Sequence, residues 1–219
     1  MIRYKFEKEL EELKVLVLKM SDYVKANIES AFKGFIHIDV PLAQQVISAD
    51  DVVDDFEKDI EKKCLNIIVR EQPVAKDLRF ITGVSKMIID IERIGDHAAD
   101  IAKITIFLSQ HKHSIDFPRI SKMAALCKTM LDNAVLSYLN NNLELAEQTI
   151  AQDEEVNDLF EEVKVVIIDL LRQHQIDAEY AIYVVMIGKY LERIGDHCTN
   201  ICEWVIFAIS GIHKNNMLF

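Results

Sequence analysis

Apolar residues recur along the first stretch of the chain at alternating steps of three and four. They are Phe6, Leu10, Leu13, Val17, Met20, Val24, Ile28, Ala31 and Phe35. That spacing lays a single stripe down one side of a long helix. A break follows from Ile38 to Pro41, where Asp39 can cap a new helix and Pro41 can sit in its first turn. Leu42, Val46, Val53, Phe56, Ile60, Cys64 and Ile67 form the second stripe. Pro73 marks another break. Ile81, Val84, Ile88, Ile91, Gly95, Ala98, Ala102 and Thr105 then form the third stripe. The pattern predicts three helices ending near His111, with His111 to Pro118 as a linker.

After the linker the pattern returns. Met20 aligns with Met123, Lys25 with Lys128, Ala31 with Ala134 and Asp50 with Asp153, all separated by 103 positions. Beyond Pro73 the separation becomes 100, because RQHQID replaces the longer REQPVAKD. Six residues, ERIGDH, recur at Glu92–His97 and Glu192–His197. The expected fold is therefore all-α: two tandem, pseudo-twofold-related three-helix bundles with six long helices. The first repeat is placed at residues 1–111 and the second at 118–219.

Composition supports this picture. Half of the 219 residues are apolar, and only six glycines and three prolines occur. That favours a folded helical protein over a disordered or all-β one. The net charge of -11 comes without a basic stripe, so no nucleic-acid partner is expected. No apolar run reaches the length of a membrane span, and the N-terminus is charged from the start, so a cytoplasmic, soluble protein is expected. The four cysteines form no CxxC pair. Cys198 and Cys202, at i,i+4, read as buried small residues rather than metal ligands.

The candidate chemistry lies in acidic rows. Glu92, Asp96 and Asp100 stand at i, i+4 and i+8, about 6 Å apart per step along a helix. Glu192, Asp196 and Asn200 repeat the row with one amide. Like charges at this spacing repel, and a bound cation reverses the sign. The second helix of each unit carries further acids. Asp51/Asp55 and Asp50/Asp54 are both i,i+4 pairs, and Glu154/Asp158 and Asp153/Asn157 are their counterparts. Facing carboxylate rows suit hard cations with oxygen ligands. The alternative is a solvated helix face, with the acids of the second helices complementing the helix dipole. Gly95 and Gly195 imply close helix approach. His97 and His197 lie about 100° around the helix from the aspartates, which suits packing or hydrogen bonding. No Glu-x-x-His signature, phosphate loop or HExxH motif is present, so no catalytic residue is assigned and no enzyme is expected. The alternative activity is a carboxylate-bridged multinuclear metalloenzyme on a helical bundle.

The paired ERIGDH motifs, the duplicated units, QPVAKDLR (Gln72 to Arg79) and the chain length resemble the PhoU family of bacterial phosphate-transport accessory and regulatory proteins. The resemblance implies a cytoplasmic regulator, working as a homodimer, that restrains the phosphate-starvation response. It would link a phosphate ABC-transporter ATPase to a sensor histidine kinase and meet the membrane only through these partners. It also implies metal ions (iron, zinc, manganese or magnesium, in multinuclear sites) on Glu92, Asp96 and Asp100 and on Glu192, Asp196 and Asn200. Asp51/Asp55 and Glu154/Asp158 would be the opposing rows. Asn200 and Asn157 depart from the acidic pattern of the first repeat and reduce the charge of the second site.

Overall fold

Six helices carry most of the chain in the computed structural model, which describes residues 2–111, 116–214 and 216–217. They are α1 (Ile2–His37), α2 (Val40–Glu71), α3 (Ala75–Leu108), α4 (Pro118–Asn140), α5 (Leu143–Arg172) and α6 (Ala178–Ser210). The predicted breaks fall where the chain turns. Asp39 accepts a hydrogen bond from the Leu42 amide at 3.0 Å, capping α2, and Pro41 lies in its first turn. Pro73 separates α2 from α3. Of the predicted linker, residues 112–115 lie outside the described residues.

The predicted stripes are the buried faces. Leu13, Val17, Met20, Val24, Ile28, Ala31 and Phe35 of α1 are all buried, as are Val46, Val53, Ile60, Cys64 and Ile67 of α2. Each such aliphatic side chain contributes about 1.5–3 kcal/mol on burial. Helices α1–α3 pack on one another, as do α4–α6, and the most extensive packing of all joins α3 to α6. These two central helices bury residues on several faces; α2 and α5 lie at the flanks and bury one stripe each.

The two units cross-pair in a reciprocal way. Lys25 of α1 meets Asp132 of α4 at 2.6 Å, and Lys128 of α4 meets Glu29 of α1 at 2.6 Å. Lys25 and Lys128 are repeat equivalents, and so are Glu29 and Asp132. Such exchange of equivalent partners is what an approximate twofold between the units produces.

One element was absent from the sequence expectation. Gly211 ends α6 with φ +83°, a conformation open to glycine, and the chain turns back. Strand β1 (Ile212–His213) then pairs antiparallel with β2 (Asn216–Met217), Ile212 opposite Met217. Two-residue strands are too short for an alternating pattern to reveal. The hairpin is tied to α6 by the Trp204 and His213 rings, stacked at 3.9 Å, and by Lys214 to Glu203 at 3.1 Å. Among the described residues, no helix is long and apolar enough to cross a membrane.

Helical glycines separate into two kinds. A Cβ at Gly188 would meet the Phe160 ring at 2.9 and 3.1 Å, whereas one at Gly34 meets nothing closer than 3.7 Å. Gly34→Ala is expected to stabilise the protein by up to about 1 kcal/mol through helix propensity. Gly188→Ala gains the same propensity but overpacks the α5–α6 contact, at a cost of about 1–3 kcal/mol. The expected pair of urea midpoints is one above and one below the parent, at unchanged m. A stabilised Gly188→Ala protein would contradict the packing.

Candidate functional site

The acidic rows do meet across helices, but in a different register on the flanking helices from the one expected. On α2 the side chains that act on the α3 row are Asp50, Asp54 and Glu57. Asp50 is pushed up from the usual carboxylate range by burial, then by Asp96, Asp54 and Asp100, against Lys103. Glu92 is pushed up to about 7 by burial first and then by Asp96, with Arg93 opposing and Glu57 and Asp54 adding to the rise. One Glu92 carboxylate oxygen, Oε2, is buried without a hydrogen bond, although Arg93 stands 3.3 Å from it. The five carboxylates Asp50, Asp54, Glu57, Glu92 and Asp96 thus lie close to one another along the α2–α3 groove, with Asp100 at its edge. The groove is partly open: the Glu92 side chain is 13% exposed, Asp96 31% and Asp54 45%.

Asp51 and Asp55, the residues expected to oppose this row, are instead exposed. The side chain of Asp55 is 79% exposed and lies 3.6 Å from Lys58. The reason is helix geometry. Val53 is the buried residue of α2 that sits over Gly95, with a methyl 3.2 Å from where a Cβ would be. Asp51 and Asp55 are two residues either side of it, about 160° around the helix, while Asp50, Asp54 and Glu57 fall on its side. The second unit repeats the correction. Glu154 and Asp158 are exposed, and Asp153 faces the α6 row. Asp153 is raised by burial, then by Asp196, while its bond from Asn157 (3.0 Å) opposes and Glu192 adds to the rise.

Asp153 also explains Gly195. Its Oδ1 would lie 2.5 Å from a Cβ there and is buried without a hydrogen bond. The expected close approach at Gly95 and Gly195 is therefore real, but it admits a methyl in one unit and a carboxylate oxygen in the other.

The two sites are unequal. Phe160 stands where the first unit has Glu57, Asn157 where it has Asp54, and Lys189 where it has Ile89. Lys189 pairs with Glu192, and its ammonium also lies 5.9 Å from the Phe160 ring centre. Three carboxylates remain, Asp153, Glu192 and Asp196, the last raised by burial and then by Glu192. Asn200 is not part of this row. It donates to Asp90 Oδ1 at 3.2 Å, in the seam between α3 and α6. Each i,i+4 step drifts about 40° around a helix, so the third residue of the row has turned toward the neighbouring helix. Asp100 drifts likewise. It lies 2.9 Å from Lys103 and acts on both Asp50 and Tyr190.

The histidines of the motif serve the seam. His197 Nδ1 lies 2.8 Å from Asp90, and His97 stacks on Tyr190 at 5.4 Å. Asp90 and Tyr190 are repeat equivalents, so the same position holds the histidine of the other unit in two chemical ways. The two imidazoles are 5.5 Å apart, and His97 is lowered to about 4 by burial, then by His197 and Arg193. The four cysteines are buried and free, as expected for small core residues.

The first groove fits hard cations chemically: five carboxylates, one with a buried oxygen without a hydrogen bond, on two rigid helices. The second fits them less well, with three carboxylates against five; each groove has a basic side chain on its row, Lys189 on Glu192 and Arg93 on Glu92 and Asp96. Among the described residues, no three His, Cys, Asp or Glu side chains already converge as the ligands of one ion, so the rows must rotate inward to bind. The register error was avoidable in principle. Val46, Val53 and Ile60 were already read as the buried stripe, and that choice selects Asp50 and Asp54 over their neighbours. The loss of Glu57 to Phe160 and the gain of Lys189 were visible by aligning the repeats.

These features define an internally duplicated all-helical protein whose halves meet across their ERIGDH helices and carry carboxylate rows of unequal charge. The chain belongs to the PhoU family: the PhoU domain matches it twice, over residues 17–105 and 120–205. It is 34% identical over 212 residues to the phosphate-specific transport system accessory protein PhoU homolog of Clostridium acetobutylicum, spanning 96% of this chain and 97% of that one. It is 30% identical to PhoU homolog 1 of Thermotoga maritima, spanning 97% of this chain and 92% of the relative. The crystal structure of PhoU from Pseudomonas aeruginosa superposes with a TM-score of 0.89 at 30% identity, over 94% of this chain and all of that one. The phosphate transport system regulatory protein PhoU from Streptococcus pneumoniae does so at 0.88 and 25% identity, over 94% of this chain and 98% of that one.

Proposed function

We propose that this chain is the accessory regulator of a phosphate transport system, acting by protein contact rather than catalysis. The observation that carries the reading is family membership across both repeats, with relatives matched over nearly their whole length. In the finer reading, the protein restrains phosphate-starvation genes by coupling a transporter ATPase to a sensor histidine kinase, as a cytoplasmic homodimer. Exposed apolar side chains offer contact surface at equivalent places in the two units: Leu65 on α2 and Ile168 on α5, with Val69 and Val165 nearby. Metal ions on Asp50, Asp54, Glu57, Glu92 and Asp96 would tie α2 to α3 and neutralise the groove that a partner meets.

The test is a deletion strain carrying a phosphate-responsive reporter. Reporter output in high phosphate is expected to rise on deletion and fall again on complementation. Unchanged output would defeat the regulatory reading. Pull-down of the transporter ATPase and the kinase from the complemented strain, each absent with a Leu65→Asp, Ile168→Asp double variant, checks the contact.

A further inference from the structure

The carboxylate rows absorb Glu92, Asp96, their repeats and Arg93, but leave Arg193, the second arginine of the ERIGDH motifs, without a role. Both arginines line a polar cleft of about 610 Å³ at the seam of α3 and α6. Three cations reach it from three places: Arg93 from α3, Arg193 from α6 and Lys214 from the C-terminal turn. Against them stand two carboxylates, Asp196 and Glu203. Asp90 stands behind the lining on His197 and Asn200, so the cleft is mixed in charge, and what distinguishes it is which of its cations is already paired.

The cations differ in how far they are committed. Arg93 lies 3.3 Å from Glu92 and 2.7 Å from Asp96, and Lys214 lies 3.1 Å from Glu203. Arg193 has no ion pair among the described residues and is exposed. Beside it, His97 is nine-tenths buried and its Nδ1 has no partner. The hydroxyl of Thr199, also in the lining, has none either. The guanidinium can only donate, while the imidazole and the hydroxyl can each donate or accept. An exposed guanidinium without an ion pair, beside polar groups that can also donate, suits an anion with several acceptor oxygens, which the guanidinium grips with two parallel bonds. Among the described residues, no Phe, Tyr or Trp lines the cleft, so they offer a nucleoside no aromatic platform.

We propose that this seam cleft binds a free phosphate-type oxyanion, with Arg193 as its principal cation. The site lies on the joint between the repeats, so an anion there draws α3, α6 and the C-terminal hairpin together. The proposal deepens the regulatory reading by naming a ligand class for it, and rests on that reading for its biological meaning.

The test is equilibrium dialysis of the full chain, stripped of metal with a chelator, against radiolabelled inorganic phosphate. Saturable binding of one phosphate per chain is expected. Arg193→Gln should weaken it about tenfold or more, the worth of a charge-assisted pair. Arg70→Gln, remote in α2, should change nothing. Circular dichroism confirms that both variants fold. Absence of saturable binding, or equal binding by Arg193→Gln, overturns the proposal. Binding that appears only on metal loading and vanishes in Asp50→Asn, Asp54→Asn overturns it as well, because the anion then sits on the metal. Displacement by ADP at lower concentration than by phosphate itself would overturn the free-oxyanion assignment. A chain that restores reporter repression yet binds no phosphate sinks this inference alone. Normal phosphate binding with an unresponsive reporter sustains it while defeating the regulatory reading.

Discussion

Asp50→Asn, Asp54→Asn and Glu92→Gln in one protein are expected to weaken metal binding by about a hundredfold or more. Cation affinity at oxygen sites follows the number of charged ligands, and this variant removes three of the five in the α2–α3 groove. The matched change in the second unit, Asp153→Asn with Asp196→Asn, should have a much smaller effect. Its groove begins with three carboxylates, and Lys189 already holds Glu192. Elemental analysis after loading with manganese or iron and desalting gives the answer. Equal metal in parent and first-unit variant would remove the assignment, and loss confined to the second-unit variant would invert it. Stripped of metal, the first-unit variant should be at least as stable as the parent, because it relieves like-charge crowding.

The second large effect concerns the apolar half of the same motif. Ile94 and Ile194 are fully buried. Ile94 lies on α3 between Asp90 and His97, both of which touch α6, so it faces the seam at its centre. Ile94→Ala is expected to cost about 2–5 kcal/mol, the range for truncating a packed aliphatic side chain. Asp90→Asn keeps a polar partner for His197 and Asn200 at a place that is 14% exposed, and should cost about 1 kcal/mol. Denaturant titration of both variants decides between them. An Ile94→Ala protein as stable as the parent would mean that the seam is not the core the buried areas describe.

Together these variants divide ERIGDH by chemistry. Glu92 and Asp96 turn to the groove with α2, and Ile94 and His97 to the seam with α6. Gly95 lets Val53 approach, and Arg93 spans from the groove acids to the seam cleft. One helical turn and a half therefore serves two neighbours at once, which only a central helix can do.

The sequence by itself determined the six helices, their breaks and the duplication. These are local properties: a stripe of apolar residues every three or four positions has one low-energy conformation, and Asp39, Pro41 and Pro73 punctuate it wherever the helix packs. It also determined that the acids form rows, because i,i+4 spacing guarantees neighbours on one face. Which rows meet was decided only by tertiary structure. Asp50/Asp54 and Asp51/Asp55 have the same spacing, and the choice depends on the rotation of α2 about its axis, set by Val53 seating on Gly95. The fate of Asn200 likewise depends on α6 packing against α3, which turns it to Asp90 rather than to α5. The seam cleft lay further still from the sequence, since Arg93, Arg193 and Lys214 come together only when two repeats and a two-residue hairpin converge. Local periodicity fixes where a helix is and which face is apolar; the phase between two helices comes from side chains interlocking across a gap that no linear spacing records.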